Sequence, residues 1–230
     1  MLSHTVFSAP ILFEENCINV LSIENPMFFT NFLNDIIAQI NGETGEVFLS
    51  ENYQPLSIAK NLSLITDILF INFENRKIIT KLHKDLANIA VQENMYSLTQ
   101  EIKIILADYI SKLLSNSELP LSFDIEEDTQ NLIKFANVKI NTETKSICEK
   151  ALIYMDVIRD LGLAKYFIFV NLFSFVSDED RLKLYEEICY KKYNVLFLEN
   201  MFREKISYKE KYLLLDKDLC LVINDYCEKS

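Results

Sequence analysis

The stretch YFIFVNLFSFVSDEDRLKLYEEICYKKYNVLFLEN (166–200) decides the fold class. YFIFV (166–170) and VLFL (195–198) are continuously apolar, as befits strands buried on both faces of a parallel sheet. Between them, SDEDRLKLYEEICY (177–190) reads as a helix. Ser177 with Asp180 three residues on resembles a capping box, and Asp178 and Glu179 suit the positive end of a helix dipole. The whole is a strand–helix–strand unit, which predicts a right-handed crossover.

Working outward, KYLLLD (211–216) and CLVIN (220–224), split at Asp216–Asp218, read as a closing hairpin. Upstream, CINVLSIE (17–24) reads as a strand ending near Pro26. Phe29, Phe32, Leu33, Ile36, Ile37 and Ile40 then follow helical spacing over 27–40. Gly42 and Gly45 end that helix, and EVFLS (46–50) is extended. LITDILFINF (64–73) fits strand or helix.

The middle is helical. Ile78, Ile79, Leu82, Leu86 and Ile89 form one stripe, and Lys77, Lys81 and Lys84 another at i, i+4, i+7. Leu98, Ile102, Ile105, Leu106, Tyr109 and Leu113 repeat the pattern over 97–114. Ile147, Ala151, Tyr154, Ile158 and Leu161 repeat it over 145–161. These spacings suit packing against other helices. The class is α/β with a helical excursion in mid-chain.

Of 230 residues half are apolar, and no run reaches the ~18 to 20 apolar residues of a membrane span. The opening MLSHTVFSAPILFEEN has no Lys or Arg before its apolar stretch, which argues against a secretory signal. Five scattered cysteines (17, 148, 189, 220, 227) form no CxxC pair and read as reduced thiols of a cytoplasmic protein. The net charge is -11. Residues 1–59 hold seven acids and no Lys or Arg; residues 60–230 hold all 23 bases against 27 acids, giving -7 and -4. An anionic partner is therefore expected to meet the later part of the chain.

Several chemistries are excluded or disfavoured. There is no GxxxxGK[ST] and no GxGxxG, and Gly42, Gly45 and Gly162 are the only glycines. A conventional phosphate loop is absent. FIFVN (167–171) resembles the strand that ends on a metal-binding acid in nucleotide hydrolases, but Asn171 stands at its end. Of the two histidines, His4 and His83, the second is expected to be solvated or capping. No GxSxG and no zinc spacing of Cys and His occur.

Glu118, Asp124, Glu126, Glu127 and Asp128 have two readings. They can offer oxygens to Ca²⁺, or the last three can complement the dipole of the helix begun by TQNLIKF. No D…ExK nuclease arrangement stands out. Arg76, Lys77, Lys81 and Lys84 can track a phosphate backbone without reading sequence, or form a solvated face. Lys134, Lys139 and Lys145 are a looser second set.

LITDIL (64–69), KLHKDL (81–86), YFIFVNLFSFVSDEDRLKLYEEI (166–188), NVLFLEN (194–200) and YLLLDKDLCLVIN (212–224), in this order and spacing, resemble one family. It is the CRISPR-associated adaptation protein of type II-A systems, the Csn-two family. Asp67, His83, Asp85, Asn171 and Glu199 are the polar anchors of the likeness, which runs from about Phe13 to Asn224. The resemblance implies an α/β head with a mostly parallel sheet, like nucleoside triphosphatase folds without a working phosphate loop, over 1–75 and 136–230. An all-helical leg occupies 76–135. It further implies a homotetrameric ring that holds linear double-stranded DNA from its ends, binds calcium, and serves spacer acquisition beside the CRISPR integrase proteins and the RNA-guided nuclease, with no enzymatic activity. A tetramer of these chains carries roughly -44, so bound cations would help it approach DNA.

Two departures accompany the likeness. In ELPLSFD (118–124), Pro120 and Ser122 replace two acids of the family's alternating pattern, leaving Glu118 and Asp124 with Glu126, Glu127 or Asp128 as metal candidates. Of a lysine cluster before the FIFVN-like strand, only Lys165 is left. Arg76, Lys77, Lys81, Lys84, Lys134 and Lys139 are the expected phosphate contacts. Two alternatives stand beside this reading: a metal-dependent phosphohydrolase on a degenerate nucleotide-binding fold, and a pure protein-interaction scaffold of the adaptation complex.

Overall fold

Two periodicities sort the apolar side chains, one of two residues and one near 3.6. The computed structural model of the protein describes residues 1–126, 128–144 and 146–224; Glu127, Lys145 and Cys227, named above, lie outside the described residues. In chain order the elements are β1 (Leu2–His4), β2 (Ile18–Ile23), α1 (Pro26–Ile40), β3 (Val47–Glu51), β4 (Gln54–Leu56), α2 (Ile58–Asn61) and β5 (Leu62–Ile65). Then come α3 (Arg76–Ala90), α4 (Glu93–Leu114), α5 (Gln130–Phe135), α6 (Ile147–Asp160), β6 (Tyr166–Val170), a 3₁₀ turn (Leu172–Ser174), α7 (Asp178–Lys191), β7 (Asn194–Glu199), β8 (Glu210–Leu215) and β9 (Leu221–Asn224). Among the described residues no helix is long and apolar enough to cross a membrane.

The chain divides into two compact units: Met1–Asn72 with Thr142–Ser230, and Phe73–Asn141. The first is a mixed α/β structure. Its six-stranded sheet has the order β5-β6-β7-β2-β8-β9. Neighbours from β5 to β8 are parallel, and β9 closes one edge antiparallel to β8, the hairpin read from 211–224.

Every residue of β2 and β6 is buried; β6 accordingly reads as an unbroken apolar run, while β2 also encloses Asn19 and Ser22. Alternate residues still part company. Leu21, Ile23, Tyr166, Ile168, Val170, Leu196, Leu198, Leu213 and Leu215 join one core with Phe32 and Ile36 of α1 and with the small antiparallel sheet β1-β3-β4. On the other face Phe169, Phe173 and Tyr185 gather around Phe197, and Phe167 meets Tyr193 edge-on. Each fully buried side chain of this size contributes roughly 1.5–3 kcal/mol.

Local chemistry sets the helix ends. Asn25 caps α1 by accepting from Phe28 N–H (3.0 Å), with Pro26 at the first helical position. Ser177 caps α7 by accepting from Asp180 N–H (3.2 Å), as the capping box predicts. Gln39 donates from Nε2 to Val47 O (2.9 Å) and accepts from Val47 N–H (3.3 Å), holding β3 to α1. A Cβ on Gly45 would lie 2.8 Å from that same Gln39 side chain, so the link requires glycine there.

For the segment 64–73 the strand reading holds only at its start and the helix reading fails. Only Leu62–Ile65 is strand, and the chain is then irregular up to Asn75. Asp67 Oδ1 accepts from Phe70 N–H (3.0 Å), a local side-chain bond that competes with both helix and ladder.

The second unit holds α3, α4 and α5. Among the described residues it has no strand. In sequence it lies in the connection between β5 and β6.

Candidate nucleic-acid interface

Within the second unit, α3 is the positively charged element. Residues 76–90 carry Arg76, Lys77, Lys81 and Lys84 against Asp85 alone, a net of +3 in a chain of net -11. Asn75 caps the helix, its Oδ1 accepting from Lys77 N–H (2.9 Å). The buried side is Ile78, His83 and Ala87. Lys77, Lys81 and Lys84 fall on the opposite side, over a rise of about 10 Å. Arg76, Lys77 and Lys84 are exposed, and among the described residues no carboxylate pairs with them. Lys81 reaches Asp85 at 2.8 Å.

The first turn of α3 contains two bases and no acid. A helix N-terminus favours negative charge, so Arg76 and Lys77 stand where a cation is locally disfavoured. An arriving anion would reverse that penalty and meet the unpaired backbone N–H groups as well.

The expectation that His83 is solvated or capping is corrected here. His83 is buried, and its Nε2 lies 2.9 Å from Val138 O, so it donates to that carbonyl and fastens the chain after α5 onto α3. The sequence placed it among lysines; burial follows from its angular position between Ile79 and Ala87 on the helix, which periodicity of apolar letters alone passes over. One residue on, Lys139 Nζ lies 3.6 Å from Glu74 Oε1, next to the start of α3. Lys139 is thus tied to the residue two positions before the start of α3. Lys134 is exposed on α5, 3.4 Å from Asn131 Oδ1, and belongs to an element packed on α3.

A second correction concerns α4. Of its expected packing stripe, Leu98, Ile102, Ile105, Tyr109 and Leu113 are exposed in the chain, together with Ile104. Thr99 is the buried residue of α4, donating to Ala90 O (2.8 Å) at the end of α3.

Glu118, Asp124, Glu126 and Asp128 are all exposed on the segment between α4 and α5. Asp128 Oδ1 accepts from Gln130 N–H (2.8 Å), and Glu126 accepts from the Asn131 amide. Two of the four are thus turned onto the start of α5. Among the described residues no three His, Cys, Asp or Glu are gathered closely enough to hold a metal ion.

In the first unit, the edge of the sheet at the carboxyl ends of its parallel strands carries polar groups that sequence reading did not assemble. Asn171 has a left-handed backbone (φ 53) and accepts from Asn200 N–H (3.0 Å). Glu199 is fully buried, and burial pushes its carboxyl up to about 7 despite the Phe173 N–H bond and the charges of Arg203 and Arg181. Arg181 is buried over the Phe173 ring and pairs with buried Glu210 at 3.1 Å. Nothing in the spacing of Arg181 and Glu210, one in a helix and one opening a strand, signals that pairing.

Comparison with known proteins decides the family. A family model described as CRISPR-associated protein (Cas_Csn2) matches residues 39–219. This chain belongs to the Csn2 family of CRISPR-associated proteins. It is similar to the CRISPR-associated protein Csn2 of Streptococcus agalactiae, 29% identical over 165 residues, covering 71% of this chain and 72% of that one. It is also similar to the Csn2 of Enterococcus faecalis, 28% identical over 183 residues, covering 78% and 81%. Among solved structures, the crystal structure of Stu0660 of Streptococcus thermophilus shares the fold. Its TM-score is 0.53 at 13% identity, over 98% of this chain and 75% of that one. The Csn2 match spans both units, since 39–219 includes the whole of Phe73–Asn141.

Proposed function

We propose that this Csn2-family chain binds linear double-stranded DNA through its phosphates, without catalysis, as a homotetrameric ring acting in CRISPR spacer acquisition. The observation that carries the reading is α3: a +3 helix in an acidic chain, with Arg76, Lys77 and Lys84 exposed and unmatched by carboxylates among the described residues. Lys139, Lys81 and Lys134 extend the same surface. Contacts of this kind neutralise phosphates and are blind to base sequence.

The exposed apolar face of α4 supports self-association. The leg-like role of residues 76–135, and a head over 1–75 and 136–230, belong to this reading. So do its partners, the CRISPR integrase proteins and the RNA-guided nuclease, and a cytoplasmic site of action. The absence of catalysis is supported by the missing glycine loop and by Asn171 and Glu199, whose side chains are engaged with backbone N–H groups.

Calcium is the metal of the proposal, with Glu118, Asp124, Glu126 and Asp128 as its oxygen donors. These four do not form a closed cage in the described chain, so the ion's binding is tested directly and no step is assigned to it.

The experiment is binding to linear and to covalently closed duplex across a salt series, with native mass measured with and without Ca²⁺. The expected result is binding of the linear form alone, weakening steeply with salt, on a particle of four chains. Equal binding to both forms would overturn ring threading. No DNA affinity beside a stable complex with the adaptation nucleases would favour the scaffold. Mg²⁺-dependent turnover of DNA or nucleotide, lost in Glu118→Gln or Asp124→Asn, would favour a phosphohydrolase.

A further inference from the structure

Open parallel sheets take ligands in the crevice outside the carboxyl ends of their strands. In this chain that edge is covered by the chain itself. Residues 200–206, between β7 and β8, form neither helix nor strand. Side chains from underneath fasten them. Asn200 N–H donates to Asn171 Oδ1 (3.0 Å), and Ser22 Oγ donates to Met201 O (3.0 Å). Arg203 N–H donates to Tyr212 Oη (2.9 Å), and Ile206 N–H donates to Glu210 Oε2 (3.2 Å). Arg203 Nη2 also donates to Ser174 Oγ (2.9 Å).

Glu199 sits at the centre of these ties, 0% exposed. Its Oε1 accepts from Phe173 N–H (3.1 Å), in the 3₁₀ turn. Its Oε2 has no hydrogen-bond partner among the described residues, and neither has Arg203 Nε, which lies 3.8 Å from it. One buried carboxylate therefore touches both parts of the cover, the turn after β6 and the segment after β7, and is only half satisfied. A buried charge with an unfilled oxygen is costly, and the cost ends when the group reaches water.

We propose that residues 200–206 are a releasable strap over the carboxyl edge of the sheet and that Glu199 is its latch, tight when protonated and loosened when ionised. The groups that act on Glu199 are Arg203 and Phe173 N–H from the cover, Arg181 from α7 and Tyr212 from β8; Glu210 of β8 acts in turn on Tyr212 and Arg181. Burial outweighs the two arginines, raising the carboxyl from 4.5 to about 7. The sign follows. Below pH 4.5 both closed and open states hold the proton and the strap is tight. Between 4.5 and about 7 the open state ionises first, so closure weakens as pH rises, and above about 7 the weakening is complete. Over that window the opening equilibrium grows by about two orders of magnitude.

Amide hydrogen exchange on the full chain, between pH 5 and 8.5 and corrected for intrinsic rates, tests the latch. Amides of 201–206 and of Phe173 are expected to lose up to about 100-fold of protection with rising pH, while those of β2 and β6 do not. Glu199→Gln is expected to abolish that dependence, and Arg203→Met, which removes a countercharge and keeps the backbone ties, to move its midpoint to higher pH. A pH-independent strap in the unaltered protein, an unchanged profile in Glu199→Gln, or an unmoved midpoint in Arg203→Met would overturn the proposal.

Discussion

His83 Nε2 donates to the carbonyl oxygen of Val138 at 2.9 Å, joining residues 55 positions apart in the second unit. The bond fastens the end of the α5 region against the middle of α3 and holds Lys139 beside Glu74. His83→Ala removes the donor and leaves a part-buried carbonyl unfilled. It is expected to destabilise this unit by about 1–3 kcal/mol, read as a lowered denaturant midpoint. DNA affinity is expected to fall with it, because Lys139 loses its anchorage.

Lys77 and Lys84 have no carboxylate partner among the described residues, whereas Lys81 is held by Asp85 at 2.8 Å. If the lysines contact phosphates, Lys77→Ala with Lys84→Ala lowers the slope of log affinity against log salt by about 2 for each engaged chain. Lys81→Ala is expected to change it less, since its charge is already shared. Fluorescence anisotropy on a short linear duplex over a salt series reads both slopes.

Arg181 and Glu210 form a buried pair, at 3% and 0% side-chain exposure. Arg181→Met strands Glu210 in the interior and is expected to cost about 3–5 kcal/mol. Adding Glu210→Gln removes the stranded charge and is expected to regain much of that loss. Thermal unfolding of the two variants checks the order.

Asp156 on α6 joins Lys191 (2.8 Å), the Tyr193 hydroxyl and Arg159 (3.0 Å). Burial alone would raise its carboxyl, but the bonds from Lys191 and Tyr193 and the charges of Lys191 and Arg159 hold it below 3.8. A depressed carboxyl stabilises the fold above its ordinary value, and that contribution disappears as pH falls through the folded one. Asp156→Asn is therefore expected to lower stability by roughly 1 kcal/mol at pH 7. The difference is expected to vanish near pH 2, as followed by denaturant titration at both pH values.

Much of the α/β unit was legible as sequence. Strands β6 and β7 are buried on both faces and so carry the unbroken apolar runs 166–170 and 195–198, and Ser177 with Asp180 marks the start of α7. The short strands β1 and β4 were not legible, because three residues hold too little pattern to be told from a loop. The basic stripe of α3 was also plain, since 3.6-residue spacing puts Lys77, Lys81 and Lys84 on one face whatever surrounds them.

What tertiary structure decided was the state of each polar group. The letters of α3 and α4 predict amphipathic helices alike, yet His83 is enclosed and Ile105 is exposed, because enclosure depends on which partner helix arrives and where. Asp85 takes Lys81 and leaves Lys84 unmatched, while Arg181 finds Glu210 across 29 residues. A mostly parallel α/β fold and the positive face of one helix were readable from the letters alone, because both follow from local periodicity and residue type. Only the folded chain could bury Glu199 with one oxygen unfilled beneath residues 200–206, because burial and hydrogen-bond supply are set by residues distant in sequence.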